Sequence, residues 1–229
     1  MDNNVEQSEI NRIMEEKFDY SKVYYKVTNK NEYHHGFQYK DGLNILIGKF
    51  NDNPEASCVK GGFYFTDYDH LPKFFDYGVW IREITIPTNA KVVLDPAGNK
   101  WRADKIIFGK KYSIKNDFSK WFNKEKFNYK YSDCLAQYCS DHFDKWFDPD
   151  KFDWEYSDYL AQYCSDHFDR WFDPNKFNWT YSHYLAQYCS DHFDRWFDPD
   201  KFNWTYSQYL KEHCSEYKDI WEEYLPVDK

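Results

Sequence analysis

Three pairs of residues have the types and spacing of metal ligands: Cys139 with His142, Cys164 with His167, and Cys189 with His192. A thiol and an imidazole three positions apart share one face of a helix, and two such pairs could supply the four ligands of tetrahedral zinc. The fourth occurrence breaks the pattern, because Tyr217 follows Cys214 where a histidine is due. Cysteines that recur once per repeat at one helical position are also what core packing produces, and disulfide frameworks rarely have that regularity. The expectation is a reduced, buried thiol beside a half-buried imidazole, with no metal and no cofactor.

These pairs sit inside a repeat that must position them. Trp121, Trp146, Trp171, Trp196 and Trp221 step by 25 residues, as do Phe127, Phe152, Phe177 and Phe202, and the prolines Pro149, Pro174 and Pro199. A fixed period of this size marks stacked supersecondary units. Rings so regularly spaced could act as stacking platforms for bases or sugars. Their spacing points instead to a core, since Tyr156, Tyr159, Leu160, Tyr163, Cys164, Phe168, Trp171 and Phe172 alternate by threes and fours along one helical face. Trp121, Trp146, Trp171, Trp196, Phe152, Phe177, Leu160 and Leu185 are accordingly expected to form the structural core of the repeats.

Asp153 precedes the helix of its unit, as Asn128, Asn178 and Asn203 do in the others, and all are good N-cap types. Asp173-Pro174 ends the helix and opens a turn. Asp166 and Arg170, four apart, are expected to pair on the solvated side. A continuous helix of this length would run about 28 Å, whereas the few linking residues can return at most about 20 Å. A bend is therefore expected at Cys164-Ser165, with Ser165 capping a second helix over residues 166–172 and each unit forming a small helical hairpin. Lys211, Lys218 and Glu222 stand where the preceding unit has Ala186, Phe193 and Phe197, the polar changes of a C-terminal cap. A half-unit over residues 116–125 keeps Phe118, Trp121 and Phe122 but lacks the proline. His183 against Asp158 and Gln208 marks a variable and therefore exposed face.

Ahead of the repeat the pattern changes. Residues 23–27, 43–47, 62–65, 79–86 and 90–94 are short, β-branched or aromatic runs bounded by Gly, Asn, Asp or Pro, the signature of strands. A helix is expected over residues 68–77, and Ile106-Ile107-Phe108 closes the sheet. The predicted class is α+β: a flexible leader over residues 1–20 with a short helix at 9–17, a small N-terminal α+β domain over 21–112, and a C-terminal all-α repeat array, a short helical solenoid, over 113–229.

Net charge is -9, with the acids spread through every unit. That balance disfavours nucleic acid and anionic membrane surfaces, which need a Lys/Arg field. The first twenty residues have no apolar signal-peptide core, and no run is long enough to span a bilayer. An intracellular, unsecreted protein is expected, with a protein partner and an oligomeric state that the sequence leaves open.

Tyr25-Lys26-Val27-Thr28-Asn29-Lys30, His34-His35-Gly36-Phe37-Gln38-Tyr39, Gly61-Gly62-Phe63-Tyr64-Phe65-Thr66-Asp67, Ile81-Arg82-Glu83-Ile84-Thr85-Ile86-Pro87 and Asn99-Lys100-Trp101-Arg102-Ala103-Asp104 resemble the N-terminal region of repeat proteins from giant viruses of the mimivirus type. In many relatives ankyrin repeats follow that region; here the Phe-Asp-Pro-Asp-Lys-Phe-Asn-Trp repeat takes their place and likewise resembles a giant-virus repeat. The resemblance implies a virus-encoded interaction or scaffold protein that engages a host or viral protein, in host cytoplasm or virion. A second resemblance supplies the alternative. His35-Gly36, Gly42-Leu43 and the run Gly62 to Asp67, followed by a helix and a strand, are similar in order to the ADP-ribosyltransferase fold. That likeness implies that His35 and Tyr64 hold NAD, but the late strand reads Asp104-Lys105-Ile106-Ile107, without the glutamate that would orient the ribose.

Overall fold

The computed structural model describes residues 18–225. The helix expected at 9–17, and the leader up to residue 17, lie outside the described residues. The chain divides into two compact units, Met1–Ser113 and Ile114–Lys229.

The first unit is built from antiparallel sheets. Strands β1 (Tyr24–Thr28), β6 (Trp80–Thr85), β9 (Lys105–Ser113) and β4 (Gly42–Ile45) lie in the order β1-β6-β9-β4. A three-stranded sheet has the order β5 (Phe63–Phe65), β8 (Trp101–Ala103), β7 (Val92–Leu94), and β2 (Tyr33–His34) pairs with β3 (Phe37–Gln38) as a hairpin. Period-two alternation explains the core: Ile106 and Phe108 of β9 are buried while Ile107 between them is exposed. These residues pack with Tyr24, Phe63, Phe65, Ile84 and Ala103, and the Tyr39 ring stacks on Phe108 at 5.0 Å. Gly78 leads into β6 where a Cβ would stand 2.1 Å from the Thr28 carbonyl oxygen, so no larger residue fits.

Three local expectations change. The segment expected as a helix over 68–77 is a 3-10 helix, Leu71–Tyr77, with proline in its first turn. The hairpin and β8 are too short and too polar to register as apolar runs. The run Ile106-Ile107-Phe108 extends to a nine-residue strand because β9 pairs with β6 through Lys111, Tyr112 and Ser113, beyond a bulge at Arg82/Ile84.

The second unit is an array of short helices. In one repeat the Asp153 carboxylate accepts from the Glu155 N–H and opens a 3-10 turn, Trp154–Tyr156. The α-helix Ser157–Tyr163 follows, then the 3-10 turn Ser165–His167 and the α-helix Phe168–Trp171. Phe172 is extended, and the Asp173 side chain and carbonyl close the turn onto the backbone N–H groups of Asn175, Lys176 and Phe177.

Each unit is thus two short helices, with the break at the cysteine. Cys139, Cys164, Cys189 and Cys214 have φ between -132° and -124° and ψ between 24° and 34°. The expected cap by Ser165 is not the device, since neither helical start after the break carries a side-chain cap bond. The Trp171 indole N–H instead donates to the Cys164 carbonyl at 2.9 Å, and Trp146, Trp196 and Trp221 do the same for Cys139, Cys189 and Cys214. The Cys164 carbonyl also accepts the His167 N–H at 2.9 Å, so the indole is its second donor and ties the two helices of the unit together inside the core.

Neighbouring repeats are joined by the same contacts each time. Ser157 Oγ, fully buried, accepts the Asn178 N–H at 3.0 Å, as Ser182 does for Asn203 and Ser132 for Asp153. Arg170 pairs with Asp144 and Arg195 with Asp169, so the expected Asp166–Arg170 pair is replaced by one between repeats. Asp166 lies in the 3-10 turn Ser165–His167 and Arg170 in the α-helix that follows, and His167 between them leaves helical geometry at φ -108° and ψ 18°, so the two do not share the face of one regular helix. At the far end Lys211, Lys218 and Glu222 are exposed, and Lys218 reaches Glu222 at 3.5 Å. No helix among the described residues is long and apolar enough to cross a membrane.

Candidate functional site

The core of a repeat consists of Leu160, Ala161, Cys164, Phe168 and Trp171, with Phe152 and Phe177; their counterparts Leu185, Trp146 and Trp196 are buried as deeply, and Trp121 nearly so. Tyr156, Tyr159 and Tyr163, expected on that same buried stripe, are only half-buried. A tyrosine placed with its ring against a core and its hydroxyl at the edge keeps the hydroxyl hydrated. Phe172, expected on the same stripe, is half-buried as well, so counting all these residues alike as apolar could not tell the edge of the core from its centre.

The tyrosines recur with the repeat. Tyr131, Tyr156, Tyr181 and Tyr206 form one column; Tyr159, Tyr184 and Tyr209 a second; Tyr138, Tyr163 and Tyr188 a third. Rings meet within each helix, Tyr159 with Tyr163 at 5.9 Å and Tyr184 with Tyr188 at 6.0 Å. Gln162 donates to the Tyr188 hydroxyl of the next repeat at 3.4 Å, as Gln137 does to Tyr163 at 3.5 Å. His183 is a correction to the expected exposed face, since its ring lies among Tyr184, Tyr206 and Tyr209 at 4.4, 4.1 and 5.1 Å. Burial lowers its pKa, and burial raises those of Asp133 and Asp158 in the same column, the charge of Asp133 adding to the effect on Asp158. Asp133 Oδ1 and His183 Nδ1 are buried with no hydrogen-bond partner among the described residues.

The Cys-x-x-His pairs are drawn apart. Cys164 Sγ faces the Ala136 carbonyl of the preceding repeat at 3.9 Å, and Cys189 and Cys214 repeat that contact with Ala161 and Ala186. The His167 ring lies flat on Phe143 at 4.4 Å, His192 on Phe168 at 4.4 Å and His142 on Phe118 at 4.7 Å. Tyr217 stacks on Phe193 at 4.4 Å in the same way, which explains why tyrosine can stand in the histidine position. Among the described residues no group of three or more His, Cys, Asp or Glu could hold a metal ion. All six cysteines are free thiols.

In the first unit a cleft of about 960 Å³ is lined by β1, the β2–β3 hairpin, β5 and the loop through Cys58 to Gly62. Arg102, fully buried, holds that loop: its guanidinium donates to the carbonyls of Asn51, Asn53 and Ala56 and to the Tyr64 hydroxyl at 3.0 Å. His35 and Tyr64 both line the cleft, but His35 is exposed in the left-handed region (φ 49°), and the Tyr64 hydroxyl also accepts the Val59 N–H at 2.9 Å. No lining residue carries a carboxylate. Lys26, Lys49, Lys60 and Lys100 line it, with His34 and His35. Sequence reasoning missed Lys26, although its place between Tyr24 and Thr28 on one face of β1 was the available clue.

The chain is similar to proteins of Acanthamoeba polyphaga mimivirus. It is 46% identical over 99 residues to "Putative ankyrin repeat protein R868", covering 42% of this chain and 49% of that one. It is 42% identical over 103 residues to "Uncharacterized protein R869", covering 44% and 73%, and 38% identical over 93 residues to "Putative ankyrin repeat protein R896", covering 39% and 28%. The chain therefore spans about half the length of the first of these relatives. No family model matches it. No solved structure matches it.

Proposed function

We propose that this chain, which belongs to the mimivirus-type giant-virus repeat proteins, is a non-enzymatic interaction protein whose tyrosine-bearing array holds a host or viral protein. The observation that carries the reading is the set of half-buried tyrosine columns repeating every 25 residues. Tyrosine offers a large, rigid, amphipathic contact area at low entropic cost and is enriched where proteins meet. A catalytic centre needs one asymmetric constellation, whereas identical surface repeated along an array suits an extended partner. Two relatives are named for ankyrin repeats, and this chain carries a 25-residue repeat of its own. Host cytoplasm or virion is the corresponding location, and residues 1–20, 21–112 and 113–229 are read as leader, head and array.

The full chain should capture a defined partner from infected host lysate, and the paired change Tyr163→Ala and Tyr188→Ala should weaken that capture at least about tenfold, as loss of two interface aromatics does. Tyr129 and Trp154, near the lysines that bridge repeats, supply the control: Tyr129→Phe and Trp154→Phe leave capture unchanged. Equal loss in both sets, or none in the first, would reject the face. A second reading, an ADP-ribosyltransferase-like head, has in its favour that His35 and Tyr64 line one cleft. Label transfer from NAD that disappears in His35→Ala would establish it over the first.

A further inference from the structure

Lys26 is 7% exposed, in the middle of strand β1. Its ammonium donates to the Tyr64 carbonyl at 2.8 Å and lies 5.3 Å from the centre of the Tyr39 ring. Neither contact carries a negative charge. None of the salt bridges among the described residues involves Lys26, and none of the residues around the cleft is acidic. Burial of an ammonium without a counter-charge is costly, and here burial alone lowers its pKa to about 8. The rest of the cleft adds to the imbalance. Lys49 and Lys60 stand exposed on its lining, Lys100 is a third lysine whose ammonium lies 3.8 Å from the buried Asp95 carboxylate behind it, and His34 and His35 sit beside them. A chain of net charge -9 that gathers four lysines around one cavity, with no carboxylate on its lining, has a local field there opposite in sign to its own.

Much of the remaining wall is aromatic. Tyr25, Phe37, Tyr39, Phe63, Phe74 and Tyr77 line the cleft, and the volume of about 960 Å³ is at the upper end of roughly 300–1,000 Å³ typical for small-molecule sites. We propose that this cleft binds a small phosphate-bearing molecule with a flat aromatic body, the phosphate opposite Lys26 and the ring against the aromatic wall. A phosphate supplies the multiple negative charge that several lysines can share, as point charges around one anion. The proposal is independent of the array's role, and it uses neither a general base nor a glutamate, so it does not rest on transferase chemistry.

The probe is a fluorescent nucleoside diphosphate, N-methylanthraniloyl-ADP, titrated into the full chain by anisotropy, with pyrophosphate as competitor. The expected result is saturable binding that pyrophosphate displaces and that Lys26→Met weakens about tenfold or more, as loss of a charged hydrogen-bond partner does. Adenosine, which has the ring without the charge, should compete poorly. If Lys26→Met does not fold, the paired exposed changes Lys49→Gln and Lys60→Gln decide, and they should weaken binding and flatten its dependence on salt. Absence of saturable binding, or unchanged affinity in the folded lysine variants, overturns the proposal. Binding that adenosine displaces as well as pyrophosphate does would also overturn it, because the cationic wall would then contribute nothing.

Discussion

Burial raises the thiols of Cys139, Cys164, Cys189 and Cys214 from an ordinary value of 9.0 to about 12. Unfolded, these thiols lose their protons near pH 9, while the folded array keeps them. The stability they represent is present below pH 9 and is lost as pH rises from 9 toward 12. Lys26 runs the other way: its folded pKa lies near 8, below the ordinary 10.5, so the unfolded chain binds the extra proton in that window and the head gains stability as pH rises through it. Eight of the ten tryptophans lie in the array, so the urea midpoint by tryptophan fluorescence, measured in reductant, should fall between pH 8.5 and about 10.5. Cys164→Ala should make that fall shallower. At this scale the sequence carried the recurrence of the cysteines but not their partner, because a bond from Trp171 to the Cys164 carbonyl follows from where the helix breaks, and no residue type announces it. Lys26 was hidden for a related reason: a charged side chain inside an aromatic strand reads as an exposed one until the sheet has two covered faces.

Among elements, the repeat was legible because period, caps and apolar stripe agree. The Asn and Asp caps open each unit as their types imply, and the polar changes at Lys211, Lys218 and Glu222 fall at exposed positions. The two-helix form follows from distance, since a single rod would outrun its linker. Ser157 was not legible. A small polar residue contributes nothing to an apolar count, yet it is fully buried and satisfies a backbone N–H of the following repeat. In the head, strands of two or three residues such as β2, β3 and β8 lie below the length at which alternation can be read. The energetic consequence of the array concerns its middle and its end. Trp171 and Trp221 are equally buried, but repeats lie on both sides of Trp171, while among the described residues a short 3-10 turn, Glu222–Tyr224, is the element that follows Trp221. Trp171→Ala should cost about 3–5 kcal/mol, the range for truncating a core Trp, and Trp221→Ala clearly less, because stability in an array is close to a sum of unit and nearest-neighbour terms. Urea unfolding of the two full-length variants checks this; equal losses would mean that the repeats fold as one closed body.

For the whole molecule, the succession of a strand-rich part and a helix-rich part was readable from the change of hydrophobic period, and the structure has that α+β architecture. The tyrosine columns were not readable as a surface. Periodicity places a residue on a face, but only packing decides how much of the ring remains exposed, and Tyr188 is at 36% while Leu185 three residues earlier is at 0%. The role proposed for these columns is tested by peptide-resolved hydrogen exchange on the full chain with and without the captured partner. The predicted result is a periodic footprint, with added protection in the helices Ser157–Tyr163, Ser182–Tyr188 and Ser207–His213 and little change in the first unit. Protection confined to the strands and loop around the head cleft, with the three helices unchanged, would contradict it.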